Sequence, residues 1–203
     1  MAQRKDEKTR RVARQGGAGT SRREPLGRNA WLDAARDALI EEGVAGMEVN
    51  KLAKRLGVTR GGFYWFFKSS EQLREELLAY WERSSCAQFE AVLRRNGPEK
   101  FRALVDVWVE EKEYNPKWDS AVRDWARTSA KVARVVHAVD DQRIAVLHQV
   151  FLDMGYEDPE ALVRARITYY HQVGYYALGV RQSRKERLKL LPYYIRALSG
   201  IKP

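Results

Sequence analysis

Two short helical patterns that meet at a glycine, within residues 47–68, constrain this chain more than any other feature. The first pattern puts four apolar residues on one helical face at i, i+3, i+4 and i+7, namely Val49, Leu52, Ala53 and Leu56. Gly57 predicts the end of that helix, and Thr59 is a favourable N-cap for a second helix. The spacing indicates a helix-turn-helix, a corner that also occurs as a purely structural feature of all-α proteins.

The second helix of the motif begins with one long cation, Arg60, followed by Gly61 and Gly62. Neither glycine has a side chain that would hold a neighbouring backbone away, so this segment is suited to close approach to a polyanion. An amphipathic helix precedes the motif, with apolar residues at Trp31, Ala34, Ala35, Ala38 and Leu39. After the motif, Ser69 and Gln72 have the spacing of a capping box at the start of a longer helix.

The stretch from Trp31 to Leu78 carries a family pattern. The pattern includes Gly43, Leu52-Ala53, Leu56-Gly57-Val58, Thr59-Arg60-Gly61, Phe63-Tyr64-Trp65 and Phe67. In these residues the chain resembles the DNA-binding domain of the TetR family of bacterial transcriptional regulators. The resemblance implies an all-α homodimer, in which an N-terminal three-helix head with the helix-turn-helix precedes a larger C-terminal helical domain for ligand binding and dimerisation.

The resemblance also implies roles for individual residues of the head. Arg60 and Asn50 would reach base edges, where Arg can bind a guanine and Asn an adenine through two hydrogen bonds. Thr59 and Tyr64 would hold phosphates, which orients the second helix without reading sequence. Phe63 and Phe67 would pack inside the head.

Four positions depart from the family pattern. Ser70 stands where a lysine that touches phosphate is common, so Lys68 is the expected substitute for that contact. Gly62 replaces a frequent threonine, and Glu48 replaces the usual Ser or Thr at the start of the first motif helix. Phe66 stands where His or Tyr is common. The expected DNA-binding set is therefore Asn50, Thr59, Arg60, Gly61, Tyr64 and Lys68.

The net charge of +10 is concentrated at the N-terminus. Residues 1–28 contain nine Lys or Arg against three Asp or Glu, few apolar residues and a glycine-rich stretch, which predicts a disordered basic arm. Such an arm can add phosphate contacts, and minor-groove contacts through Arg22, Arg23 or Arg28. The alternative is a solvated tail without defined contacts. Residues 29–75 would then form the head, and residues 76–203 the effector-binding and dimerisation domain, here named the body.

The body shows only helical patterns separated by Gly and Pro, with helices expected near 70–95, 98–113, 116–135, 138–154, 159–180 and 184–199. Pro192 should kink or divide the last of them. The body is rich in aromatic residues, most of them expected in the core or a dimer interface. Trp125, Tyr169 and His171 are the expected wall and polar contacts of a pocket for a small hydrophobic or aromatic effector. The last two helices are expected to form the homodimer.

Catalytic and metal-binding patterns are absent from the sequence. His137 and His148 are eleven residues apart, roughly 16 Å along a straight helix, which is too far to share a metal ion. Cys86 is the single cysteine, and no phosphate-binding glycine loop or nucleophile elbow occurs. We therefore expect no enzyme activity, no cofactor and no metal. Without an apolar span or a signal segment, the expected location is cytoplasmic, with no membrane partner.

These features predict a DNA-binding regulator, most simply a repressor that a small-molecule effector releases from a partly palindromic double-stranded operator. An α-helical carrier or enzyme that uses the helix-turn-helix corner only as structure is the alternative from another class. A third interpretation is a constitutive DNA-binding architectural protein without an effector. An exposed cation at Arg60 would argue against the carrier, and a cavity in the body would argue against the architectural protein.

Overall fold

The computed structural model describes residues 27–95, 99–111 and 114–200, and within these ranges every regular element is helical, as predicted. The α-helices are α1 (Arg28–Glu42), α2 (Val49–Leu56), α3 (Ser70–Leu93), α4 (Glu99–Glu110), α5 (Pro116–Ala126), α6 (Ala130–Asp153), α7 (Glu160–Ala177) and α8 (Arg184–Ser199). Two short 3₁₀ helices, Val44–Met47 and Arg60–Trp65, lie within the head. None of the described helices is both long and apolar enough to cross a membrane.

Polar side chains mark the starts of several helices. Ser69 caps α3 by accepting a hydrogen bond from the Gln72 backbone N–H at 3.1 Å, as its spacing predicted. The reciprocal bond differs from the expected capping box, because the Gln72 side chain accepts from the backbone N–H of Lys68 at 2.7 Å. Ser183 and Glu186 form a complete capping box at the start of α8. The sequence therefore fixes these helix starts locally.

The boundary predicted between the helices at 116–135 and 138–154 is wrong. Helix α5 ends at Ala126, and α6 begins at Ala130 and continues to Asp153. Ser129 caps α6 by accepting from the Val132 backbone N–H at 3.4 Å. The boundary was misplaced because the turn at residues 127–129 contains no glycine or proline to mark it, and the helical pattern of apolar residues continues through it. Pro192 lies inside α8 and does not divide that helix, which continues from Arg184 to Ser199.

The buried apolar residues form two clusters. The first contains the apolar face of α1, the motif, the first half of α3, and also parts of the body: Trp118, Val122 and Trp125 of α5 with Val132, Val136 and Val139 of α6. The second contains the end of α3 with α4, the rest of α6, α7 and Leu191 of α8. The head is therefore packed directly on α5 and α6, and its core extends beyond residue 75.

A group of charged residues lies buried where α5, α6 and α7 meet. Arg143 of α6 is only 2% exposed, and its guanidinium donates to Asp119 of α5 at 3.0 Å. Arg123 of α5 donates to Asp119 at 2.8 Å and to both carboxylate oxygens of Asp140, at 2.7 and 3.0 Å. Tyr169 of α7 donates to Asp140 at 2.6 Å. The buried carboxylate of Asp119 and the half-buried carboxylate of Asp140 are thus both paired with a guanidinium.

The pairing decides the charge states in this group. Burial alone would raise the pKa of Asp119, but the charges and hydrogen bonds of Arg143 and Arg123 hold it below its ordinary value. Burial raises the pKa of Tyr169 to about 12, so its hydroxyl remains a donor at neutral pH. A carboxyl whose pKa is lowered by folding contributes stability above its unfolded pKa of about 3.9, and this stability is lost as the pH falls through the folded pKa.

The buried ion pair leads to a stability prediction. Arg143→Ala leaves the buried Asp119 carboxylate with Arg123 alone, and we expect it to lower the free energy of unfolding by about 3 to 5 kcal/mol in urea titrations at pH 7. The control is Arg127→Ala, because the pair of Arg127 with Asp124 is exposed on both sides and should contribute less than about 0.5 kcal/mol. A loss below about 1 kcal/mol for Arg143→Ala would contradict a buried, mutually dependent pair.

Candidate nucleic-acid interface and effector cavities

Two buried rings orient residues 59–68, here named the recognition segment. Phe63 and Phe67 are buried in the head, and their ring centroids lie 5.3 Å apart. Phe63 also packs edge-on against Trp31 of α1 at 5.3 Å. These contacts confirm the expected packing of both phenylalanines. Because Phe63 and Phe67 point inward, Arg60, Tyr64 and Trp65 are left on the solvent side of the segment.

The recognition segment contains a 3₁₀ helix at Arg60–Trp65 where the motif predicted a second helix of unspecified length. Thr59 is the N-cap residue, but its hydroxyl makes no capping hydrogen bond. Gly61 and Gly62 disfavour a longer α-helix here, because glycine loses more backbone freedom than other residues on becoming helical. The Thr59 hydroxyl is exposed and remains available to an outside partner.

Arg60 is held in place by Tyr64. The guanidinium of Arg60 donates to the Tyr64 hydroxyl at 3.0 Å and lies 5.8 Å from the centre of the Tyr64 ring. Both side chains are exposed, and within the described residues Arg60 makes no ion pair with a carboxylate. This cation is therefore extended toward solvent and not neutralised by the protein around it.

The neighbouring cations of α2 are arranged differently. Arg55 pairs with Glu41 at 2.6 Å and with Glu42 at 3.3 Å, and Lys51 pairs with Glu42 at 3.5 Å. These ion pairs fasten α2 to the end of α1. Lys68 and Asn50 are both exposed, and the side chain of neither residue has a hydrogen-bond or ion-pair partner among the residues described. The cations that remain without a carboxylate partner include the two predicted to contact DNA, Arg60 and Lys68.

Gly61 is not required by the fold of the head. A Cβ atom built at Gly61 would meet only the Thr59 hydroxyl oxygen, at an ordinary 3.7 Å. Gly46 differs, because a Cβ there would lie 2.7 Å from the Ala38 carbonyl oxygen. The packing of the protein therefore accounts for the glycine at position 46 but does not require one at position 61.

Trp65 is an exposed residue that sequence reasoning did not select. Its side chain is 86% exposed, next to Tyr64 on the outer side of the recognition segment. The signal was available, because inward-facing rings at Phe63 and Phe67 leave positions 64 and 65 on the opposite side of a helical turn. Trp65 widens the exposed surface around Arg60 with a large flat apolar group.

Arg28 has a different role from the one expected for it. The sequence assigned it to the basic arm, as a minor-groove contact, but it is the first residue of α1. Its guanidinium forms an ion pair with Glu76 of α3, donates to the Phe66 carbonyl and lies 4.4 Å from the centre of the Phe67 ring. Arg28 thus ties the end of the recognition segment to α3. Arg22 and Arg23 lie outside the described residues.

The three expected effector contacts lie at three different cavities. Trp125 lines a cleft of about 840 Å³ between the end of α1, α5 and the end of α7. Tyr169 lines a cleft of about 440 Å³ between α6 and α7. His171 lines a cavity of about 60 Å³ among α4, α7 and α8. The structure therefore does not bring these residues together into one site.

The side chains of two of these residues, Tyr169 and His171, are held by contacts within the protein. The Tyr169 hydroxyl is engaged by Asp140 and by Arg123, which donates to it at 2.9 Å. His171 is half-buried against the Tyr194 ring at 5.0 Å, and burial lowers its pKa, so the imidazole is neutral near pH 7. In the part of the chain that the structure describes, no three His, Cys, Asp or Glu residues are grouped as metal ligands.

Comparison with known proteins agrees with this arrangement. Residues 32–77 match the family model described as bacterial regulatory proteins, tetR family. That range contains the whole recognition segment and the buried rings that orient it. No curated protein sequence matches the chain significantly.

Solved structures extend the similarity to the body. Salmonella enterica GusR is 20% identical over 88% of this chain and 98% of its own, with a TM-score of 0.63. The ketosteroid transcriptional regulator KstR2 of Mycobacterium tuberculosis is 21% identical over 87% of this chain and 95% of its own, with a TM-score of 0.60. The SmeT–triclosan complex is 17% identical over 85% of this chain and 84% of its own, with a TM-score of 0.58.

At these identities the solved structures show a common fold, and the family model supplies the sequence pattern of the head. The two findings refer to one chain, in which the matched head is packed directly on the body. Residues 32–77 therefore carry the sequence pattern of the tetR family of bacterial regulatory proteins, and the helical fold that continues from them is the fold of these solved structures.

Proposed function

We propose that this protein regulates transcription by binding an operator through the recognition segment and that it acts as a repressor. The observation that carries the proposal is the exposed Arg60, which is oriented by Tyr64 and has no carboxylate partner in the described head. A guanidinium in this setting can form two hydrogen bonds with a guanine in the major groove. A carrier or enzyme that used the corner only as structure would have no need of it.

The other exposed groups of the head complete the proposed interface. Thr59, Tyr64 and Lys68 hold phosphates, which sets the register of the head on the duplex. Asn50 reaches a base edge, and Gly61 allows the backbone to approach the DNA. Trp65 adds apolar contact to sugars or to a thymine methyl group.

We infer that two copies of the chain pair through α7 and α8. Val163, Ile167 and Tyr170 are exposed on α7 at the spacing i, i+4 and i+7, so they form one apolar stripe. Leu188 and Tyr193 of α8 are exposed as well. A two-fold dimer would bury this surface and place two heads on successive major grooves of a partly palindromic operator.

The proposed effector response rests on the contact between head and body. Helix α5 contributes Trp118, Val122 and Trp125 to the head cluster, and clefts open on either side of this helix. The SmeT–triclosan complex shows a ligand bound to a protein of similar fold. A ligand that binds more tightly when α5 occupies one of two positions stabilises that position. The heads then move with α5, and operator affinity changes.

The first prediction from this proposal concerns base readout. Arg60→Ala should cost about 1 to 3 kcal/mol of binding free energy on an operator selected from random duplexes, and it should relax base preference at one position per half-site. The control is Arg55→Ala, because Arg55 is already paired with Glu41 and Glu42. Gel-shift titrations on operator and scrambled DNA measure both effects. An equal loss on the two DNAs would make Arg60 a phosphate contact instead.

The second prediction concerns the basic N-terminus. If residues 1–26 neutralise phosphates, deleting them should flatten the slope of log affinity against log salt by about 0.9 per lost contact. The deletion retains Arg28, whose ion pair with Glu76 belongs to the head. Lys185→Ala, which removes one exposed cation from α8, is the control for charge alone. An unchanged slope would show that the segment is a solvated tail.

The third prediction concerns the dimer. Ile167→Glu places a charge in the middle of the α7 stripe, so it should convert the protein from two chains to one in light-scattering measurements and weaken operator binding. Ala145→Glu adds the same charge at an exposed position of α6 and should leave the dimer intact. A dimer that survives Ile167→Glu would exclude this stripe as the interface.

A further inference from the structure

A cleft between α3 and the start of α5 has the features of a ligand site. Its volume is about 250 Å³, and its walls include four aromatic residues, Tyr80, Trp81, Tyr114 and Trp118. The rings of Tyr80 and Trp118 lie 5.3 Å apart at an angle of 47°. Aromatic walls of this kind suit a flat apolar molecule, which can stack on them or meet their edges.

Hydrogen-bond donors without partners adjoin this cleft. Trp118 is only 8% exposed, and its indole N–H is buried and has no hydrogen-bond partner. The Nε and Nη2 atoms of Arg143 are also buried without partners. Leaving buried donors unpaired is unfavourable, so each such atom requires an explanation. All three are donors, and what they lack is an acceptor.

Arg143 lies directly behind the wall of the cleft. Its guanidinium carbon is 6.0 Å from the centre of the Trp81 ring and 5.9 Å from that of Tyr114, and both rings line the cleft. Asp119 also lines the cleft and accepts from Arg143 through the Nη1 atom alone. The Nε and Nη2 atoms together form the side of a guanidinium that grips a carboxylate through two parallel hydrogen bonds. That side of Arg143 has no hydrogen-bond acceptor, and the ring nearest the guanidinium carbon is Phe89, at 5.1 Å.

The acidic group at the cleft is already satisfied. One oxygen of Asp119 accepts from Arg143, and the other accepts from Arg123 at 2.8 Å. Arg36 of α1 also lines the cleft, with its guanidinium carbon 6.0 Å from the centre of the Trp118 ring. The groups still in need of a partner therefore favour a ligand that brings oxygen acceptors over one that brings a cation.

We propose that this cleft binds a small aromatic carboxylate, with the ring against the exposed side of Tyr80, Trp81 and Trp118 and the carboxylate accepting from the Trp118 N–H and the Nε and Nη2 atoms of Arg143. The inference rests on the proposed effector response and names its ligand class. To reach the guanidinium, the carboxylate displaces the Tyr114 ring. The bound acid then shares the guanidinium of Arg143 with Asp119, which weakens the contact between α5 and α6 and moves the head that is packed on α5.

The first experiment compares acids with their neutral counterparts on the purified full-length protein. Benzoate, phenylacetate and 1-naphthoate are titrated by calorimetry and thermal shift, beside benzamide, phenylacetamide and 1-naphthamide. At least one acid should bind and raise the melting temperature, and its amide should bind about tenfold more weakly or worse, because a hydrogen bond to a charged acceptor contributes more than one to a neutral acceptor. Equal binding of acid and amide, or no binding of any acid, would overturn the proposal.

The second experiment uses two matched tryptophan variants. Trp118→Phe removes the N–H but keeps an aromatic ring, and it should fold normally because that N–H has no partner in the protein. Trp108 of α4 is buried to a similar extent, at 5% exposed, but it lies in the second cluster and does not line this cleft, so Trp108→Phe is the control. Trp118→Phe should weaken acid binding about tenfold, while Trp108→Phe should leave it unchanged. The same affinity in both variants would show that the Trp118 N–H does not contact the ligand.

Operator binding by the same samples separates this inference from the proposed function. A binding acid should release the operator, and Trp118→Phe should require a higher acid concentration for release. If the protein binds its operator and no acid binds or alters that complex, the ligand class is wrong while the regulator remains. If acids bind as expected but no DNA is bound specifically, the site stands and the proposed regulation fails.

Discussion

Helix α5 is held by two different physical interactions on its two faces, and the relation between head and body depends on both. Trp118, Val122 and Trp125 follow one another at i, i+4 and i+7 and are buried in the head cluster. Asp119 and Arg123, one turn apart on another face, are bonded to α6 and α7. The apolar face makes α5 move with the head, because separating them would expose three large side chains to water. The charged face fixes where α5 lies in the body.

These two kinds of attachment respond differently to a ligand. Apolar contact is non-directional, so a small shift of α5 can be followed by the head without loss of burial. The charged contacts are directional, and a buried carboxylate that loses one guanidinium must find another partner or be destabilised. An anion bound to Arg143 therefore acts mainly on the charged face of α5. Allosteric coupling typically amounts to about 1 to 3 kcal/mol, which lies within the strength of a single charge-assisted hydrogen bond.

The sequence predicted what local spacing determines. The apolar faces of α1 and α2, the buried rings of Phe63 and Phe67 and the cap at Ser69 all follow from residues within a few positions of one another. The break between α5 and α6 was misplaced because Ser129 alone marks it, within a continuous helical pattern. Arg28 and Arg143 were not recognised as structural residues, since their partners lie far along the chain, at Glu76 and Asp119. Likewise, aromatic content suggested pockets, but unpaired donors such as the Trp118 N–H appear only once the chain is folded.

The recognition segment places a further limit on how regulation can work. Arg60 is already bonded to Tyr64, and the segment is fixed on its inner side by Phe63 and Phe67 and at its end by Arg28. None of these contacts involves α5, α6 or α7, so loosening the charged contacts of α5 leaves the base-reading surface unchanged. A shift of α5 can alter only where each head lies relative to the body. In a two-fold dimer, the quantity under control would then be the spacing of the two heads along the DNA, and a single half-site should be bound equally well with and without effector.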